Sequence, residues 1–261
     1  MIGAIIGDIA GSRFEWHNHR SKDFVLFAPT CGPTDDSIMT LAIAEALMRA
    51  QPGFSDLGAQ AVRCMQEVGR PYPRCGYGGH FYEWMYSDDP QPYGSFGNGA
   101  AMRVSPCGFA ARSLEEAITL AHAVTAVTHD HPEGLKGAEA AAVAIYMARD
   151  GSPMEDIRAC MEAGYYTLDF TLDGIRDTYR FNETCQGTVP QALEAFFEST
   201  GFEDAIRNAI SIGGDSDTLA AITGGIAEAY YGVPKALAQA ARGYLDGRLL
   251  DILERFETWC R

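Results

Sequence analysis

The chain has 261 residues, 47% of them hydrophobic and 21% charged, with a formal net charge of −15. That length and composition suit one globular domain spanning residues 1–261. So acidic a surface argues against nonspecific binding to phosphate backbones, which needs Lys and Arg, but leaves room for a small anionic ligand held by a metal and backbone N–H groups. The seven cysteines (31, 64, 75, 107, 160, 185 and 260) form no CxxC and are odd in number. They suit a reduced, cytoplasmic protein better than a disulfide scaffold. No run reaches about 18 uninterrupted apolar residues, so no membrane span is expected.

In chain order the apolar pattern is mostly helical. MIGAIIGDIAG, interrupted only by Asp8, reads as a buried first helix. Ile38 through Met48 is apolar on nearly all faces, which predicts a helix buried on every side. Further helices are predicted over Leu114–Val127, Gly137–Ala148, Val189–Glu198 and Phe202–Ile210. Ser113, Ser152 and Thr188 are the expected N-terminal signals, the last two followed closely by Pro. After residue 218, Leu219, Ile222, Ile226 and Tyr230 recur at helical steps. Alternating strand-like runs are scarce, and the pattern predicts an all-α chain. Three glycine-containing stretches read as long loops, Arg13–Gly32, Gly69–Gly99 and Tyr165–Gly187, and long loops in a compact domain tend to be functional.

Two acidic clusters carry most of the functional signal. Thr34-Asp35-Asp36 and Asp215-x-Asp217-Thr218 each follow a glycine-containing turn and precede an apolar helical stretch. Either alone reads equally well as a helix N-terminus, where Asp or Thr caps free N–H groups and favours the dipole. If the two meet in space, their four carboxylates repel, and hard divalent cations with oxygen ligands neutralise them best. Together they offer enough oxygens for two ions about 4 Å apart. Glu15 is either a solvated loop carboxylate or a further acid that closes on the site.

The stretch Tyr93 to Arg103 is a glycine-rich loop entering a helix. The backbone N–H groups of Gly94, Ser95, Phe96, Gly97, Asn98 and Gly99 could cradle a diphosphate. It is neither a P-loop nor a dinucleotide fingerprint. His129-x-His131 and His17-x-His19 lack a second ligand pair at zinc spacing and suit hydrogen-bonding histidines better. His129 could instead touch a ligand.

Taken together, five motifs in order resemble the ADP-ribosylglycohydrolase family. They are Gly7-Asp8-x-x-Gly11-Ser12 with Phe14-Glu15; Thr34-Asp35-Asp36; Gly97-Asn98-Gly99-x-Ala101-Met102-Arg103; Thr128-His129; and Gly213-Gly214-Asp215-x-Asp217-Thr218. They cover residues 1 to about 232. The resemblance implies a compact all-α, orthogonal helical bundle around a binuclear magnesium centre, with Mn²⁺ as a substitute. It implies metal ligation by Thr34, Asp35, Asp36, Asp215, Asp217 and Thr218, a diphosphate on the 94–97 loop, and an ADP-ribose pocket lined by His129. It also implies a mobile Glu15 that gates the metals, as in relatives that cleave serine conjugates. The His131-Pro132-Glu133-Gly134 tail is similar to that of the bacterial branch.

The function these expectations define is hydrolysis of the glycosidic bond between ADP-ribose and an acceptor, with Glu15 and Asp36 as the catalytic carboxylates. The substrate would be an ADP-ribosylated protein or small molecule, and ADP-ribosylated nucleic acid stays among the options. The sequence leaves open whether the acceptor is arginine, serine, a nucleobase or a small molecule, and it says nothing about oligomeric state. Two alternatives stand beside this reading: a di-metal phosphohydrolase that cuts the pyrophosphate, and a non-catalytic ADP-ribose-binding or crystallin-like protein.

Overall fold

The structure is a computed structural model that describes every residue except Gln51 and Arg261. Its helices are α1 (Ile2–Gly11), α2 (Asp35–Arg49), α3 (Leu57–Gly69), α4 (Gly79–Tyr86), α5 (Gly99–Met102), α6 (Ser105–Ala110), α7 (Leu114–Thr125) and α8 (Pro132–Arg149). Then come α9 (Met154–Gly164), α10 (Leu172–Ile175), α11 (Cys185–Phe197), α12 (Phe202–Ile210), α13 (Ser216–Tyr231), α14 (Lys235–Arg242) and α15 (Gly247–Trp259). A short 3-10 turn, Ser12–Phe14, follows α1. Among the described residues no strand forms, and Gly97 and Thr184 make an isolated antiparallel bridge. The all-α expectation holds.

The helix starts follow from local chemistry. Thr34 caps α2 by accepting from the Asp36 N–H, and Ser113 caps α7 by accepting from the Glu116 N–H at 3.1 Å. At α8, His131 accepts from the Glu133 N–H at 3.1 Å while Pro132 fills the first position, where no N–H is needed. Three expected boundaries move. The helix expected from Val189 begins at Cys185, capped by Thr184 rather than Thr188. The one expected after Ser152 begins at Met154 with Pro153 before it and no side-chain cap. The one expected at Gly137 begins a full turn earlier, at Pro132. Two of the long loops also contain helices, α4 in the second and α10 in the third.

One buried apolar core runs through α1, α2, α8, α11 and α13. Its central contact is unusually close. A Cβ on Gly7 would fall 1.9 Å from the Ala220 carbonyl oxygen, and one on Gly3 2.3 Å from that of Gly224. The glycines at 3, 7 and 11 lie one turn apart on the same face of α1 and let its backbone rest on the backbone of α13. At the end of this contact, a Cβ on Gly11 would meet Asp217 Cα at 2.5 Å. The same glycine stripe therefore brings Asp8 beside the start of α13, where the second acidic cluster sits.

Candidate active site

The two acidic clusters meet. Thr218 Oγ1 donates to Asp36 Oδ2 at 3.2 Å, joining the start of α13 to the start of α2. Carboxylate oxygens from Asp8, Asp36 and Asp217 lie within 4.8 Å of one another, and so do oxygens from Glu15, Asp215 and Asp217. Asp217 belongs to both groups. No histidine or cysteine joins either, so among the described residues the zinc reading of the His pairs has no support.

Local backbone geometry aims these groups. The turn before α13 runs through Gly213 and Gly214 at φ +69° and +78°, a left-handed conformation that side chains disfavour. Asn18 braces that turn: it accepts from the Gly214 N–H at 2.9 Å, and its Nδ2 donates to the carbonyls of Gly214 and Glu15, each at 2.9 Å. The Glu15 segment is thereby tied to the second acidic cluster. Asn98 makes a further link, donating to Thr188 Oγ1 at 3.1 Å and to Asp215 Oδ2 at 2.7 Å.

The clusters occupy one side of a cavity of about 560 Å³. Of the expected ligands, Asp35, Asp36, Asp215, Asp217 and Thr218 line it, as does Glu15. Thr34 does not; its hydroxyl is turned to Asp8 Oδ1 at 2.7 Å and lies 3.4 Å from Asp36 Oδ2. The expected ligand-binding residues, Gly94 through Gly99 and His129, line another part of the same cavity. The helix expected to follow that loop is only the four-residue α5, so it adds little dipole. Much of the loop's N–H supply is already used: Gly94 donates to Asp130 Oδ1, Gly97 to Ser95 Oγ and Asn98 to the Glu183 carbonyl. Among the described residues the N–H groups of Ser95 and Phe96 have no such partner.

Asp8 stands outside the expected ligand set, yet it is fully buried at the centre of the site. Its Oδ2 accepts from the N–H groups of Thr34 at 3.0 Å and Ser37 at 3.1 Å and from the Ser37 hydroxyl. The signals in the sequence were a single charge inside an apolar run and its place in the Gly7-Asp8-x-x-Gly11-Ser12 motif. Phe181 and Glu183 also line the cavity, and Phe181 stacks on the exposed Trp16 at 5.2 Å. Only three-dimensional proximity brings that pair together.

The electrostatics call for a cation. Burial, reinforced by the neighbouring acids, holds Asp35, Asp36 and Asp217 well above the ordinary carboxylate range. Burial also raises Asp215, and it lifts Asp8 to about 6 against four hydrogen bonds that favour its charged form. Glu15 is lifted to about 7, first by desolvation and then by the charges of Asp215 and Asp8. None of these acids has a Lys or Arg ion-pair partner among the described residues. Asp36 Oδ1 is buried with no hydrogen-bond partner at all. Hard divalent cations fit this all-oxygen donor set, and they would satisfy that orphaned oxygen.

With this geometry in view, the comparisons with known proteins agree. The family model for ADP-ribosylglycohydrolases matches residues 1–260. The chain belongs to the ADP-ribosylglycohydrolase family, and its enzyme class is that of a glycohydrolase. It is 27% identical to human ADP-ribosylhydrolase ARH3, over 96% of this chain and 90% of that protein. It is 26% identical to ADP-ribosylarginine hydrolase Tri1 of Pseudomonas putida (strain GB-1), over 89% of this chain and 70% of that protein. A solved structure titled ADP-ribosylglycohydrolase-related protein complex superposes with a TM-score of 0.66 at 25% identity, covering 99% of this chain and 94% of that one.

Proposed function

We propose that this protein is a metal-dependent hydrolase that releases ADP-ribose from an acceptor by cleaving the bond at C1 of the terminal ribose. The observation that carries this reading is the pair of acidic groups that share Asp217 in a cavity also lined by the glycine loop and His129. Such a cavity matches a ligand with a diol at one end and a diphosphate further along.

Asp35, Asp36, Asp215, Asp217 and Thr218, which line the cavity, would hold two Mg²⁺ or Mn²⁺ ions, and Thr34, whose hydroxyl proton goes to Asp8, would offer only an oxygen lone pair. Bound there, the ions would supply Lewis acidity toward the ribose hydroxyls and an acidified water. The rest falls to the chain. Asp8 fixes Thr34 and Ser37 at the start of α2 and so orients the first cluster. Asn98 and Thr218 orient Asp215 and Asp36. Glu15, half-buried at the edge of the cavity beside Asp215 and Asp217, is the carboxylate placed to take a proton from the attacking water. Asp36, which would hold an ion through its otherwise unpaired Oδ1, is the second carboxylate beside the reacting sugar in this reading. The glycine loop and His129 hold the diphosphate, which is bound and not cut. Trp16, Phe181 and Glu183 border the Glu15 side, where the acceptor would leave.

A cytoplasmic setting belongs to the same proposal, supported by seven cysteines that form no disulfide. The test is turnover of defined ADP-ribosylated arginine, serine, nucleobase and small-molecule conjugates with Mg²⁺ or Mn²⁺ and with a chelator. Turnover of at least one conjugate that stops on chelation is expected. No turnover of any conjugate with either metal would contradict the reading.

A further inference from the structure

Arg103 is the largest side chain fully withdrawn from solvent, at 1% exposure. It lies in the cavity wall, and among the described residues it has no carboxylate partner. Its Nε has no hydrogen-bond partner of any kind. An arginine keeps its charge when buried, and an unpaired buried charge is costly unless something compensates it. Internal compensation is small: the guanidinium sits 5.7 Å from the Phe81 ring centroid, and its Nη2 donates to Thr128 Oγ1 at 2.6 Å.

The same Nη2 lies 3.4 Å from His129 Nδ1, and Thr128 Oγ1 lies 2.7 Å from that nitrogen. Arginine has only donors, so a proton on Nδ1 would face the Arg103 charge and have only Thr128 Oγ1 as acceptor, leaving the Thr128 proton to the longer 3.4 Å contact with the Thr125 carbonyl. The arrangement is satisfied when Nδ1 accepts, from the Thr128 hydroxyl and from Arg103. The ring proton then sits on Nε2, and Nε2 faces the glycine loop: a Cβ on Gly97 would come within 3.5 Å of it and one on Gly99 within 3.3 Å. Burial and the Arg103 charge both disfavour a charged ring. That loop has already committed the N–H groups of Gly94, Gly97 and Asn98 to protein acceptors. Among the described residues the Ser95 and Phe96 N–H groups stay free, and Nε2–H and the Arg103 charge would add to them for a bound anion.

We infer that Arg103 is a positioning residue that, with Thr128, locks His129 as the neutral tautomer presenting Nε2–H to the ligand, and whose unpaired charge makes this part of the cavity the anion end. It rests on the ADP-ribose reading only for the identity of the anion, a diphosphate. The relay itself depends on Arg103, Thr128 and His129 alone.

Two measurements on the full chain test it. Nitrogen-15 NMR of the histidine rings, with His129→Asn to assign the signal, reads the tautomer. Wild type is expected to carry the His129 proton on Nε2, and Arg103→Met to show a mixed or protonated ring. A wild-type proton on Nδ1 would overturn the inference. Calorimetry with adenosine and ADP reads the anion end. Arg103→Met is expected to weaken ADP by about tenfold or more, the scale of one hydrogen bond to a charged group, and to leave adenosine within about twofold. Arg103→Lys, which keeps the charge, should recover part of the ADP loss. Equal losses for both ligands would make Arg103 merely structural and overturn the inference. If Arg103→Met does not fold, Thr128→Val carries the test: altered His129 ring signals support the relay and unchanged ones overturn it. A wild type that binds neither adenosine nor ADP would sink the ADP-ribose reading separately, while the ring signals still decide the relay.

Discussion

Thr218 Oγ1 donates to Asp36 Oδ2 at 3.2 Å across 182 positions of sequence. That bond makes two helix starts, each explicable as a cap, into one site. Asp217, on the same turn as Thr218, belongs to both metal-competent groups, whereas Asp36 belongs to one. Asp217→Asn should therefore abolish binding of both ions in calorimetry, and Asp36→Asn should weaken one more than the other. Each should lower turnover by about 10²-fold or more, the scale of a catalytic or charge-stabilising group. Metal-free melting temperatures should rise, because one of several repelling buried carboxylates is gone. Two-ion binding by Asp217→Asn would refute the shared-ligand geometry.

Asp8 gives a sharper test of orientation. All its hydrogen-bond partners are donors: the Thr34 N–H and hydroxyl and the Ser37 N–H and hydroxyl. Asp8→Asn would turn an amide NH₂ toward at least one of them. Metal affinity should fall by about 10–100-fold, as when a ligand loses its supporting partner, even though Asp8 is absent from the expected ligand set. Metal affinity within about twofold of wild type would show that Asp8 serves the fold alone.

The raised carboxylates set a pH dependence. A carboxyl whose folded pKa exceeds its unfolded value binds its proton more tightly when folded, so stability falls as pH rises between the two values. For Asp8 that window runs from 3.8 to about 6, and for Glu15 from 4.5 to about 7. Asp35, Asp36 and Asp217 act in the same direction. Divalent cations need the deprotonated forms. The rise in melting temperature on adding Mg²⁺ should therefore be small near pH 5 and grow through pH 7. A metal-induced rise that is largest at pH 5 would contradict the assignment.

Glu15→Gln keeps the size of the side chain and removes its proton-accepting charge. It should cut the catalytic rate by about 10²-fold or more with ADP-ribose affinity little changed, and the metal-free melting temperature above pH 7 should rise, because a charge repelled by Asp215 and Asp8 is gone. A rate within about twofold of wild type would make Glu15 a bystander and assign the base role to an Asp or to the acidified water.

Much of the fold was legible where one signal dominated. The largely apolar run of α2, the Ser113 cap and the three- and four-residue steps of α13 each read as found. Boundaries shifted where signals competed. Cys185, Gln186 and Gly187 read as loop, yet Thr184 caps them and Pro190 is carried inside the helix. The glycines at 78 and 79 hid the aromatic α4. Both acidic clusters were visible as motifs, but their meeting is a long-range fact set by the Gly3, Gly7 and Gly11 face of α1 on α13. Asp8 read as an interruption of an apolar helix and, like Arg103, as part of a family motif, with no role of its own. Burial and missing partners give each its meaning, and sequence spacing encodes neither.

The most direct measurement is the identity of the product. A substrate carrying ADP-ribose on a defined acceptor, turned over with Mg²⁺ and analysed by mass spectrometry, should yield intact ADP-ribose and the free acceptor. AMP together with a ribose-phosphate still attached to the acceptor would mean that the pyrophosphate is cut, and would contradict the account.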